Sequence, residues 1–146
     1  MKAKEYLVQY KLMVARIRAL ERDIERLVAE IGGGSINNDG LPHGTGIGDQ
    51  TGRIAVRLAD LKREREFWLR ESIEKRDEID RTILRMTDPI YLKLLHDRYV
   101  MLMDWNAITE DLGLVNDQYV RGKLHGKALL AVLDVMDEEV KDNGGL

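Results

Sequence analysis

Gln118, Arg121, Gly122, Lys123, His125 and Lys127 fall in one short stretch of the chain. If that stretch is helical, Gln118, Arg121, Gly122 and His125 share a face, with Lys123 and Lys127 flanking it. Gln and Arg side chains can pair with adenine and guanine edges in a major groove, and Lys and Arg can hold phosphates. The opposite face carries Val120, Leu124, Ala128, Ala131 and Val135 at helical spacing, which is the face to be buried. Asn116 or Asp117 is placed to cap such a helix, and Asn116 is counted with the contacting residues. Gly122 and Gly126 each cost roughly 1 kcal/mol in a helix interior. They are tolerable where a backbone must approach another surface closely. The plain alternative is an amphipathic helix of a bundle with a polar outer face.

Nothing in the chain assembles into a catalytic constellation. There are no cysteines among the 146 residues, so disulfides, thiolate metal sites and a Cys nucleophile are excluded together. His43, His96 and His125 lie in three different segments, and no metal is expected. His125 reads as a surface or phosphate-contacting residue, not a general base, because no carboxylate or nucleophile accompanies it in a recognisable order. The Gly-rich stretch 32–52 invites comparison with a phosphate-cradling loop. However, no strand precedes it and no Gly-Lys-Ser/Thr closes it, so it reads as a connector. The expectation is a protein that is not an enzyme and carries no cofactor. Trp105 reads as a core anchor, and Met86, Met101, Met103 and Met136 as core filler.

The elements that must position these residues are helical. Tyr6, Tyr10, Met13, Ile17, Leu20, Ile24, Leu27 and Ile31 recur at alternating spacings of four and three, predicting one uninterrupted helix over 3–31. Tyr10, Met13, Ile17, Leu20, Ile24 and Leu27 form its candidate dimer or partner seam. A second long helix is predicted over 53–86, with Ile54, Leu58 and Leu61, then Phe67, Trp68, Leu69 and Ile73, then Ile79, Ile83 and Met86 as its apolar positions. The two fold back most simply as a long antiparallel, coiled-coil-like hairpin, and two such hairpins could associate as a homodimer. Asp88-Pro89 ends the second helix, because proline lacks the N–H and disfavours helix in the residue before it; Asp88 can cap the next helix.

After Pro89 the periodicity shortens. Helices are predicted over 90–101 or 103, over 105–112 with Asp104 as N-cap, and from Asn116 or Asp117 to about Met136; Gly113 stands where a left-handed helix terminus wants glycine. Two short helices around a Gly-containing turn outline a helix-turn-helix. Tyr91-Leu92-Lys93-Leu94-Leu95-His96-Asp97-Arg98-Tyr99-Val100, then Trp105-Asn106-Ala107-Ile108, then Leu124-His125-Gly126-Lys127-Ala128-Leu129 resemble region four of sigma factors. More closely, they resemble the small phage-encoded ArpU/RinA-like late transcription activators. The opening Lys2-Ala3-Lys4-Glu5-Tyr6-Leu7, the Gly-rich stretch with Leu41-Pro42 and the long second helix fit those proteins too. The resemblance implies that 105–112 is the supporting helix and that the recognition helix starts at Asp117. The chain departs from the pattern twice. Gly113 lies about two residues further from Leu124-His125 than in such motifs, and Arg121 stands where the pattern has an apolar residue.

The domain expectation is a helical hairpin over 1–87 with its connector at 32–52, a helix-turn-helix module over 88–138, and an acidic, disordered tail over 139–146. The net charge of −3 counts mildly against nucleic-acid binding, but it hides asymmetry. Residues 134–142 are strongly acidic, while Arg121, Lys123 and Lys127 are opposed only by Asp117. No apolar run reaches the ~20 residues of a membrane span, and the N-terminus has no apolar signal region, so a cytoplasmic protein with no membrane contact is expected. By the resemblance it is a DNA-binding regulator, an activator of phage late or packaging genes in a bacterial host. Its partner would be double-stranded DNA, and its arm would serve homodimerisation or contact with RNA polymerase. The reading from another class is a helical adaptor or structural protein that acts through its arm and binds no DNA.

Overall fold

The computed structural model describes residues 2–34 and 45–144, with side chains over 2–32 and 49–142. All regular elements among these residues are helical. They are α1 (Ala3–Leu7), α2 (Gln9–Gly34), α3 (Thr45–Leu84), α4 (Pro89–Leu95), α5 (Trp105–Asp111), α6 (Asp117–Tyr119) and α7 (His125–Gly144). Two wide π-type turns, His96–Val100 and Val120–Leu124, continue α4 and join α6 to α7. No helix of the described residues is long and apolar enough to cross a membrane.

Two expectations about the long helices are corrected. The first helix is not uninterrupted: Val8 forms a turn between α1 and α2, and α1 buries Ala3 and Leu7. The connector is also shorter than 32–52, because α2 runs through Gly34 and α3 begins at Thr45. Glycine weakens a helix by about 1 kcal/mol per residue but, unlike proline, keeps its N–H for the i→i−4 bond, so a helix can continue through it. Residues 35–44, with the Leu41-Pro42 step and His43, lie outside the described residues.

The chain divides into two units. One is Met13–Glu71, and the other joins the N-terminal segment up to Leu12 to the chain from Ser72 onward. In the first, Leu20, Ile24 and Leu27 of α2 cluster with Leu61 of α3, and Ile54, Leu58 and Trp68 pack against them. Arg16 pairs with Glu64 at 3.2 Å while its guanidinium lies 4.5 Å from the Trp68 ring centre. The residues expected to form an intermolecular seam are therefore largely covered within the chain: Ile17, Leu20, Ile24 and Leu27 are all buried, and Met13 is half-buried. Phe67, read as an apolar position of the second helix, stands exposed, as does Ile73 in the other unit.

The second unit holds the larger core. Ala3 and Leu7, Ile79, Ile83 and Met86, Leu94, Leu95 and Tyr99, Ile108, and then Val120, Leu124, Ala128, Val132 and Val135 form one cluster, with Tyr10 packed on its margin. The caps read from sequence are in place. Asp88 accepts from the Ile90 and Tyr91 amides with Pro89 at the first helical position, and Asp104 accepts from the Ala107 amide at 2.8 Å. After α5, Gly113 takes φ +72°. The Leu114 amide reaches the Thr109 carbonyl and the Gly113 amide that of Glu110, the paired bonds of a Schellman terminus.

Helix α7 runs past Met136 to Gly144, so residues 139–144 are helical where a tail was expected. The acidic groups there have partners. Arg85 pairs with Glu139 at 3.0 Å and Asp142 at 3.7 Å, and the buried Thr82 hydroxyl donates to the Glu139 carboxylate. Those bonds hold the last turns against α3. Met101, read as core filler, is exposed, whereas Met86 is buried and Met103 and Met136 are half-buried.

Candidate nucleic-acid interface

The stretch from Asn116 to Lys127 is built by one cap and one irregular turn. Asn116 accepts from the Gln118 and Tyr119 amides at 3.1 and 3.2 Å, which starts α6 in the way an Asx cap does. That leaves its side-chain carbonyl committed to the backbone. After Tyr119 the π-type turn Val120–Leu124 places one more residue in the turn than an α-helix holds. Every residue after it is rotated relative to an unbroken helix.

Gln118, Arg121, Gly122, Lys123, Gly126 and Lys127 are exposed. Val120, Leu124, Ala128 and Val135 are buried as expected; Ala131 is only half-buried, and Val132 takes the interior position beside it. His125 is the clear correction. Expected on the outward face, it is 7% exposed and belongs to the interior.

His125 sits in a small aromatic cluster. The Tyr99 hydroxyl lies 2.7 Å from its Nε2, and the two rings stack with centres 5.8 Å apart. Trp105 meets the imidazole edge-on at 4.8 Å. Arg98 covers the Trp105 ring at 4.5 Å and donates to the Met103 carbonyl at 3.1 Å. Burial, followed by the nearby charges of Lys4 and Arg98, pushes the His125 pKa down to about 4, while a hydrogen bond to the Arg121 backbone opposes that fall. The ring is therefore neutral at pH 7, and its Nε2 accepts from Tyr99. Burial raises the Tyr99 hydroxyl to about 12, so it stays a donor. His125 is a positioning residue here: it ties α7 to the wide turn after α4 and to α5, and it does not stand on the outward face.

A second polar group stands behind α5. Lys93 pairs with Asp111 at 2.7 Å, joining α4 to α5. Asp97, nearly fully buried, has its pKa raised to about 6, first by desolvation and then by the neighbouring Asp111. Neither the wide turn nor the buried role of His125 has a sequence signal, because π-type turns lack a local residue signature. The Arg98–Trp105 contact is likewise made across the gap between two helices. The only trace is that Tyr91, Leu94, Leu95, Tyr99 and Trp105 are all apolar or aromatic, which demands a core but does not specify this geometry.

Among the described residues no group of three His, Asp or Glu side chains is arranged to hold a metal ion. Within the same residues, none of Arg121, Lys123 and Lys127 forms an ion pair, which they share with Arg18, Arg22, Arg70 and Arg81 of the long helices; what sets them apart is their closeness in a single short element. What the face can do chemically is donate hydrogen bonds and positive charge to an acceptor surface. Comparison with protein-family models, with curated proteins and with solved structures finds no match to this chain.

Proposed function

We propose that the chain is a phage-type, DNA-binding transcription regulator whose helix-turn-helix runs from Trp105 into α7. In this reading α5 is the supporting helix and α6 with the start of α7 is the recognition element. The chain activates late or packaging genes in its bacterial host. The single observation that carries the reading is the exposed, unpaired set Arg121, Lys123 and Lys127 beside Gln118, on the element that follows a glycine-terminated turn. In a chain with 26 acidic and 23 basic residues, exposed cations without carboxylate partners gathered on one short element suit a polyanionic partner. Gln118 and Arg121 read base edges, Lys123 and Lys127 hold phosphates, and Gly122 lets the duplex come close to the backbone. Asn116 positions the helix through its cap. The long-helix unit, folded as a hairpin, makes the contacts to RNA polymerase or to a second copy.

The experiment is an electrophoretic mobility shift with promoter DNA at low ionic strength, comparing the wild type with an Arg121→Ala, Lys123→Ala double variant. Salt-sensitive binding that the double variant weakens by about tenfold or more is the expected result. No binding by the wild type to any duplex at low salt ends this reading. One observation favours the adaptor alternative: Val56 and Phe67 of α3 are exposed apolar side chains of the long-helix unit. If Phe67→Ala abolishes capture of a protein partner while no DNA is bound, the adaptor takes its place.

A further inference from the structure

We propose that Lys4, Lys11, Arg98 and Arg121 form a phosphate-binding cleft that takes a phosphodiester group of the DNA backbone. The proposal rests on the DNA-binding reading and adds to it the N-terminal helices, which the heptad pattern alone assigns to the arm.

The four cations line one cleft of about 270 Å³, floored by Trp105 and His125. No carboxylate lines it. Lys4 and Lys11 come from α1 and α2, separated by seven residues with Val8 between them, so they lie on one face across the break at Val8. Arg98 comes from the wide turn after α4, and Arg121 from the wide turn before α7. Three separate stretches of chain thus deliver like charges to one place. Within the described residues none of the four has a carboxylate partner, and unlike other unpaired cations such as Arg18 or Arg81 they line one cleft together. Gathering like charges works against folding and is not required by the core, so the arrangement is accounted for by an anion that neutralises it.

The cleft is also held in shape. Arg98 is fixed by its stacking on Trp105 and by the bond to the Met103 carbonyl, which leaves further guanidinium N–H groups for a ligand. His125, with Nε2 engaged by Tyr99, stays neutral beside Lys4 and Arg98 and adds no further repulsion. Arg121 belongs both to the cleft and to the outward face of the proposed recognition element. A duplex laid along that face brings its own backbone to the cleft, which is why the phosphate is assigned to DNA and not to a free anion.

The test is fluorescence anisotropy with a random-sequence duplex across a salt series, using the full chain. Lys4→Gln, Lys11→Gln is compared with Lys62→Gln, Lys141→Gln, a control that removes the same charge from exposed positions elsewhere. Circular dichroism checks that both variants fold. Each phosphate contact contributes close to one unit to the slope of log K against log salt. The cleft variant is expected to flatten that slope by about 1–2 units and to weaken binding about tenfold or more at low salt, equally on all sequences. The control leaves the slope unchanged. If the wild type binds DNA through Arg121 and Lys123 but the cleft variant keeps the full slope, the cleft proposal falls and the DNA reading stands. If the wild type binds no duplex at any salt, both fall. Inorganic phosphate shifting the Lys4 and Lys11 amides while the DNA slope is untouched overturns the assignment to DNA.

Discussion

His125 illustrates how much one side chain's surroundings can decide. Its pKa is near 6.5 in an unfolded chain and about 4 in the folded one, so between those values the unfolded chain holds more protons. Its contribution to stability is fully present above pH 6.5 and is lost as the pH falls toward 4, on the order of 3 kcal/mol at most. Asp97 works in the opposite direction. Its pKa rises from 3.8 to about 6 on folding, so the folded chain holds more protons in that window and the stability contribution falls as the pH rises through it. The two slopes oppose each other between about pH 4 and 6, with the lowering of Asp111 by its bond to Asp97 acting in the His125 direction. Wild-type stability should therefore fall less steeply with acid than His125 alone would make it. Asp97→Asn removes one of them. That variant should be more stable than wild type at pH 7 by about 1 kcal/mol, since a buried carboxylate beside Asp111 is replaced by a neutral group. It should also lose stability steeply between about pH 6.5 and 4.5. Urea unfolding across that range and at pH 7 measures both. An Asp97→Asn protein no more stable at pH 7, and flat across the series, contradicts this account of the pair.

At the scale of elements, two glycines make a contrasting pair. An added Cβ meets nothing within 4 Å at either Gly113 or Gly122. Only Gly113 is left-handed, at φ +72°. Gly113→Ala should therefore destabilise by about 1–2 kcal/mol through backbone conformation alone. Gly122→Ala should stabilise by about 0.5–1 kcal/mol while weakening DNA binding, because the methyl group stands where the duplex is proposed to approach. Thermal melts paired with anisotropy separate the two effects; a Gly122→Ala protein that is more stable and binds DNA as well as wild type marks that glycine as irrelevant to contact. The same elements show what was legible in the sequence. The Asp88, Asp104 and Asn116 caps and the Gly113 terminus could be read because each bonds to backbone within a few residues of itself. The wide turn Val120–Leu124 could not, since no residue type marks it, and neither could the burial of His125, whose partners Tyr99 and Trp105 come from other elements. Residues 139–144 read as a tail because their partner, Arg85, lies more than fifty positions away in sequence.

For the whole molecule, a net charge of −3 is compatible with a polyanionic partner because the charge is uneven locally, acidic at the end of α7 and basic at its start. The acidic end of α7 is tied to Arg85, while among the described residues Arg121, Lys123 and Lys127, and in the cleft Lys4, Lys11 and Arg98, have no carboxylate to neutralise them. The central claim is that the chain meets DNA with the α6–α7 face. Backbone amide NMR of the full chain, titrated with duplex at low salt, tests it most directly. The predicted result is a contiguous set of shifted amides at Gln118, Arg121, Gly122, Lys123 and Lys127, extending to Lys4 and Lys11, with His125 moving little. Shifts confined to Met13–Glu71, or none at saturating duplex, contradict it.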